Sequence, residues 1–304
     1  MKRRRALLAA LALAGSALCP TGNARAREAA RPGPDAKSRT HPYSRGLLWR
    51  IRRSGYRASH VFGTIHLADP RVLALPDPVR AALDGSRRLF GETYIAAREE
   101  ARFFEAAQFE DGQTLEALIG ADAYARVRAH LGARGIAEQV IRRVKPWAAL
   151  LNYTVTPEGY ERETLDQHLA ARALERGLRV MGLEGIEEQI AVFDGIPMQT
   201  QVALLRHALE HRDFFVSLIE PAVQAWLRRD LAGIAAVQLR VGAQFPDMAA
   251  HYRLLDRHLV HNRSVVMAHR LFWPLREGRR LHRRRREASA GRAGNAGACH
   301  RPRL

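Results

Sequence analysis

An α/β (α+β) fold is what the sequence predicts: a small central sheet with a β-hairpin at its start, a large helical insertion and C-terminal helices. Three observations lead there. Short strand-like runs occur near the start and once in the middle of the chain. Helical periodicity fills the stretch between them and nearly all that follows. No internal repeat is visible, so one domain is expected from the folded part.

The elements follow in order. Residues 47–53 and 57–62 are short apolar runs around Ser54-Gly55, a hairpin signal. Residues 75–83 read as a short helix with Pro76 and Pro78 near its start. Residues 88–91 form a short apolar strand. From Ile95 to His130, Ala and Leu recur at three and four residues, punctuated by Gly120, Gly132 and Gly135. Residues 164–176 make an amphipathic helix that Gly177 closes. Residues 178–183, LRVMGL, read as a buried strand. From Ile186 to Glu277 the pattern is almost all helical, with breaks near Gly195-Ile196-Pro197, Pro221, Gly233 and Phe245-Pro246.

Composition narrows the function classes. The chain has 304 residues, 47% of them apolar, enough for one sizeable core. Its formal charge of +18 first suggests a polyanion partner. The ends account for most of it. Residues 1–26 carry +5 and residues 279–304 carry +8, which leaves +5 on residues 27–278. That middle is a mildly basic globular protein whose charges of both signs interleave, and it argues against a nucleic-acid partner. MKRRR, then ALLAALALAGSAL, then Ala24-Arg25-Ala26 read as an export signal over 1–26, so the protein is expected in the periplasm or outside the cell. Residues 27–44 are polar and Pro-rich and read as a disordered linker. No apolar run in the mature chain is long enough for a transmembrane segment. Cys19 leaves with the signal and Cys299 lies in the tail, so no internal disulfide is expected.

Three strand-like runs share an ending. VFGTIH stops on His66, RLFGE on Glu92 and RVMGLE on Glu184. Ligands of α/β sheets bind beyond the carboxyl ends of strands. A glycine there tolerates unusual backbone angles and close approach of a ligand. An imidazole with carboxylates can hold a divalent ion and activate water, or act as general acid and base without one. An ordinary turn explains any single such ending. Three in one chain favour a site.

These residues carry a resemblance. LLWRI, HVFGTIHLADPRVLALPDPVRAAL and RLFGE resemble the opening of the TraB/GumN family, related to the Tiki metalloproteases. The likeness continues in Lys145-Pro146-Trp147, Leu165-Asp166, Gly182-Leu183-Glu184 and Glu188-Gln189. It runs on through His261-Asn262-Arg263-Ser264-Val265-Val266-Met267 and covers residues 45–278 as one domain. For Tiki-type members the resemblance implies divalent-metal-dependent peptide hydrolysis, with two G-x-x-H motifs and a Glu. It makes His66 and Glu92 metal-ligand positions (Mn, Co or Zn), with Glu92 also catalytic. Glu184, Asn262 and Arg263 become catalytic-site positions that contact substrate or support the ligands. The substrate is peptide or polysaccharide-related.

The family closes with a strand of the form F-x-A-V-G-x-x-H-L-x-G, and this chain does not. Residues 279–304 contain no Val, Ile or Phe and nine arginines, and read as a disordered basic tail. Read from the second base of each codon, with suitable third bases, the tail becomes GGFIAVGAKHL and onward. That supplies the missing final strand and second G-x-x-H. The sequence therefore points to a frameshift near residue 278, and to weak metal binding and impaired hydrolysis in the chain as it stands.

Other motifs compete. His207-Ala208-Leu209-Glu210-His211 is an H-x-x-E-H pattern able to hold zinc on a helix, although the flanking charges suggest an exposed face. His258 and His261, with Asp256, form a weaker set of surface or supporting histidines. Trp49, Trp147, Trp226 and Trp273 are expected in packing. The alternative to an enzyme is an exported binding protein for haem or polysaccharide, and haem would reveal itself as an absorbance band on purification.

Overall fold

A computed structural model of the protein describes residues 43–94, 96–153 and 163–276. The stretches read as an export signal (1–26) and, apart from its last two residues, as a linker (27–44), and the tail 279–304 with its frameshift reading, lie outside the described residues.

Strands β1 (Leu48–Ile51) and β2 (Ser59–Phe62) pair antiparallel, Leu48 opposite Phe62 and Ile51 opposite Ser59. The turn between them puts Gly55 at φ +77°, where a side chain would be strained. Helices α1 (Pro70–Leu73) and α2 (Asp77–Asp84) lead into β3 (Arg88–Thr93). The insertion is helical: α3 (Ala97–Ala106), α4 (Leu115–Ile119), α5 (Ala121–Gly132), α6 (Glu138–Arg143), α7 (Pro146–Tyr153) and α8 (Leu165–Glu175). Gly177 at φ +71° then turns the chain into β4 (Arg179–Glu184), which pairs parallel with β3. Parallel neighbours need a long crossover, and here the helical insertion is that crossover.

The strands form two separate two-stranded sheets rather than one. A two-stranded ribbon is marginal by itself. Each therefore leans on helices: α8 packs against both β3 and β4, and Trp226 of α12 donates from Nε1 to Gly63 O at 3.0 Å just past β2.

After β4 the chain is helical: α9 (Ile186–Asp194), α10 (Met198–Glu210), α11 (Arg212–Ser217), α12 (Ile219–Leu227) and α13 (Leu231–Gln244). A 3₁₀ turn (Pro246–Met248) leads into α14 (Ala249–Asp256), a π-helical turn (Arg257–Asn262) and α15 (Arg263–Leu271).

Two apolar cores result. One lies within the helical insertion and α9–α10, around Phe103, Leu131, Trp147 and Leu205. Trp147 stacks on Phe193 at 4.9 Å and meets Phe103 edge-on at 5.2 Å. The other gathers the hairpin, α1, α2, α8 and α12 around Leu47, Val72, Leu165 and Trp226. Trp147 and Trp226 are thus packing residues, as expected, whereas Trp273 is 58% exposed. Ile65 belongs to the second core, Leu259 and Val260 to the first. His66 and Arg263 sit next to these anchors, near enough for the charge of one to act on the other.

Candidate functional site

The segment after β2 carries Thr64, Ile65 and His66. Ile65 is buried as an anchor, and His66 is buried beside it at 7% exposure. The helix that meets this segment is α8. Its Leu165 N–H donates to Leu67 O at 3.1 Å, and Gln167 accepts from the Thr164 N–H at 2.9 Å to cap its start. Asp166 is thereby fixed in the first helical turn, where the helix dipole favours an acid. Its Oδ2 pairs closely with His66 Nδ1, and its Oδ1 accepts from Thr64 Oγ1 at 2.8 Å.

The second half of the site lies at the ends of β3 and β4. Glu184 is buried and Glu92 half-buried. Arg263 joins them. Its Nε and Nη2 reach Glu184 Oε2 at 2.8 and 2.7 Å, and its Nη2 reaches Glu92 Oε2 at 3.0 Å. Its Nη1 donates to Leu259 O at 3.1 Å, a carbonyl of the π-helical turn. That turn resets the helical phase directly before Arg263, which is how a buried guanidinium comes to face the strand ends.

The halves sense one another. Burial opposes charge on His66, but the neighbouring Asp166 carboxylate and then Glu92 outweigh it and raise the imidazole above its ordinary value, with Arg263 pulling the other way. Burial would raise Asp166, yet the charge and hydrogen bond of His66, helped by Thr64, hold it below the ordinary range. Arg263 serves two carboxylates and His66 the third, so with a neutral imidazole the group carries a net negative charge and favours a proton or a cation.

Of the residues singled out from the sequence, His66, Glu92, Glu184 and Arg263 come together here. Asn262 is exposed on the π-helical turn and makes none of the hydrogen bonds of the cluster. Thr64 and Asp166 were missed as site residues. The signal for Asp166 was present in Leu165-Asp166, an acid at the start of a helix, but only the fold brings it to His66.

The glycines act differently from expectation. Gly91 and Gly182 sit opposite each other in the β3–β4 register. A Cβ on Gly182 would lie 2.8 Å from Glu184 O and from Tyr94 N, and one on Gly91 3.2 Å from Thr93 O. The close approach that they permit is of the chain's own backbone. At Gly63 a Cβ would meet Leu47 at 3.7 Å and Trp49 at 3.9 Å, ordinary contacts.

Neighbouring motifs are structural. Lys145 Nζ donates to Asp194 at 2.9 Å and Trp147 Nε1 to the same carboxylate at 2.8 Å, locking α7 to the end of α9. Glu188 accepts from the Gly185 N–H at 2.9 Å and pairs with Arg270, which with that backbone contact holds its carboxyl down at about 2. Gln189 donates to Thr93 at the end of β3. A void of about 10 Å³ lined by Gln189, Val192, Phe193, Leu259 and Arg263 adjoins the cluster, the least that a single water needs.

His207 does not lie on the exposed face expected of it. It is 8% exposed, its Nδ1 is 2.8 Å from Tyr252 Oη, and its ring packs edge-on against Phe245 at 4.3 Å and Phe215 at 5.7 Å. Apolar neighbours on three elements draw it inward. His258 is half-buried and His261 exposed.

A metal shell can be tested against these donors. The Asp166–His66 pair matches the way carboxylates orient metal-ligating histidines, and with Nδ1 so engaged any ligation would use Nε2. Glu92 already shares Arg263. Among the described residues no group of three His, Cys, Asp or Glu side chains converges to hold a metal ion. His66 and Glu92 alone do not complete a site.

The fold and this seam define a mixed α/β domain with a part-buried acid–histidine pair beside a carboxylate–arginine bridge at strand ends. The chain belongs to the TraB/PrgY/gumN family, whose model matches residues 47–280. No curated protein and no solved structure matches the chain.

Proposed function

We propose that this is an exported hydrolase acting on a peptide or polysaccharide-related substrate, with its reacting groups at the seam of His66, Asp166 and Glu92. The convergence of the Asp166–His66 pair with the strand-end carboxylates supports this reading. Asp166 fixes the imidazole tautomer and balances its charge, so His66 can take a proton from a water and return it to a leaving group. Glu92, the more accessible acid of the bridge, is the group able to contact substrate. Glu184 and Arg263, both buried, hold Glu92 in position.

In a chain that carried the second G-x-x-H in frame, His66 and Glu92 would share a divalent ion (Mn, Co or Zn) with that histidine. The ion would supply a polarised water. The described donors fall short of such a set, and the family match stops at residue 280, close to the break in the sequence pattern. The 304-residue form is therefore an impaired member.

The experiment compares this form with one whose reading frame is restored after Gly278. Metal-dependent peptide cleavage is expected to be low in the first, substantial in the second, and abolished there by His66→Ala or Glu92→Gln. Full activity of the 304-residue form, lost on His66→Ala, would overturn the impairment. A well-folded restored form without hydrolysis would overturn the enzyme.

A further inference from the structure

The H-x-x-E-H run that ends α10 has no part in the seam. Residues four apart share a helix face, and the His211 N–H donates to His207 O at 3.0 Å, so the turn between the two histidines is a closed helical one. Their rings lie 4.6 Å apart, with planes 51° to one another. His207 is buried, and its two nitrogens differ. Nδ1 is 2.8 Å from Tyr252 Oη of α14, whereas Nε2 is buried with no hydrogen-bond partner among the described residues. An orphaned polar atom in a packed interior asks for an occupant. With Tyr252 Oη accepting from Nδ1–H, Nε2 presents a lone pair. An oxygen on one imidazole nitrogen is how proteins orient a histidine whose other nitrogen binds a metal. Burial, and then the nearby His211, hold His207 below its ordinary value, so it is neutral near pH 7, as a ligand must be. Phe245 packs on both imidazoles, at 4.3 and 4.6 Å, and gives the pair an apolar wall.

We propose that His207 and His211 form a two-histidine site for a late first-row divalent ion, Cu(II) or Ni(II), separate from the seam. With metal–nitrogen bonds of about 2.0–2.1 Å, two imidazoles on one ion hold their ring centres about 4.5–5 Å apart, a spacing that this pair already has. A water in the same place would need two to four polar partners, and the aromatic neighbours supply few. Imidazole suits copper and nickel, which also stand highest in affinity for nitrogen ligands, while magnesium prefers oxygen. The flanking cations are engaged elsewhere: Arg206 Nε donates to Ile119 O at 3.2 Å, and the Arg212 guanidinium lies 5.6 Å over the Tyr153 ring. Glu210 stays near, its Oε2 3.9 Å from His211 Nε2, and its charge favours a cation. The His211 side chain is 36% exposed, which gives an ion its entry and leaves its remaining positions to water. The site borrows no residue from the seam, so it stands whether or not the seam hydrolyses anything.

The test titrates the full 304-residue chain, free of any affinity tag, with Cu(II), Ni(II) and, as a hard-ion control, Mg(II). Calorimetry is expected to show one tight equivalent of Cu(II) or Ni(II) and none of Mg(II). The electron paramagnetic resonance spectrum of the Cu(II) form should carry the hyperfine pattern of two ligating nitrogens. His211→Gln should remove the tight equivalent, and Tyr252→Phe, which frees the Nδ1 side of His207, should weaken it by about tenfold or more. His66→Ala, at the seam, and His60→Gln, on the exposed hairpin, should leave it unchanged. Melting of the parent should rise with added Ni(II), and melting of His211→Gln should not. His207→Gln tests the second ligand in the same way; should burial make that variant unfold, the part-exposed His211 still decides the matter. Absence of a tight equivalent overturns the proposal. So does one that survives His211→Gln, or a Cu(II) spectrum without two nitrogens. An equivalent lost in His66→Ala overturns it in favour of the seam.

Discussion

Replacing Arg263 with Met removes the guanidinium while keeping most of its volume. The structure says where the cost falls. Arg263 bridges two carboxylates of different accessibility: the Glu184 side chain is 5% exposed and that of Glu92 31%. Without Arg263, Glu92 can regain water, while Glu184 is left as a buried charge without its partner. Breaking a buried pair in this way costs about 3–5 kcal/mol, against about 1 kcal/mol or less for a part-exposed one. The prediction is therefore asymmetric. Arg263→Met should destabilise by about 3–5 kcal/mol. Glu184→Gln should rescue much of that loss, with a coupling of about 2 kcal/mol in the double-mutant cycle, and Glu92→Gln should rescue little. Urea unfolding of the singles and doubles at pH 7 measures each quantity. An Arg263→Met variant within about 1 kcal/mol of the parent, or equal rescue by the two glutamines, would refute the view that burial of Glu184 makes this bridge essential.

Two further predictions rest on local geometry. Gly182→Ala forces a methyl into backbone 2.8 Å away and should cost about 1–3 kcal/mol, whereas Gly63→Ala should stay within about 1 kcal/mol; the same unfolding assay compares them. His130 is held down at about 4 from 6.5, first by burial and then by the nearby Arg134. The folded state thus keeps it neutral where the unfolded chain takes up a proton, so stability falls as pH drops from 6.5 to about 4. Transferred in full at 1.36 kcal/mol per pH unit the loss is about 3 kcal/mol; partial exposure of the ring reduces it to about 1–2 kcal/mol. His130→Gln should flatten that part of the stability profile, and a profile that keeps its slope would assign it to other groups.

Much of the fold was legible because it is written in local patterns. The hairpin showed in two short runs about Ser54-Gly55, and β4 in an apolar run after the Gly177 cap. The long helical insertion showed in its period. What the period could not show was how strands associate. VFGTIH, RLFGE and RVMGLE look equivalent in sequence, yet only the last two pair with each other, and the first belongs to a separate ribbon. The shared glycines misled for the same reason: Gly182 is crowded by Tyr94 and Thr93 across the ladder as well as by Glu184 O, Gly91 by Thr93 O of its own strand, and Gly63 by nothing nearer than 3.7 Å. His207 was read from its charged flanks, whereas Phe215, Phe245 and Tyr252, distant in sequence, bury it.

Residue type and spacing by themselves determined the class of fold, the strand ends that carry His66, Glu92 and Glu184, and the family pattern that runs to about residue 278. Those features depend on contacts within a few residues or on order along the chain. Tertiary structure alone decided that Asp166, a hundred residues from His66, orients it. It also decided that Arg263 ties Glu184 to Glu92, and that α15 turns its arginines inward and its valines outward. The reason is the same in each case. A charged side chain settles where a partner can offset its desolvation, and that partner is chosen by packing in space, which no local pattern records.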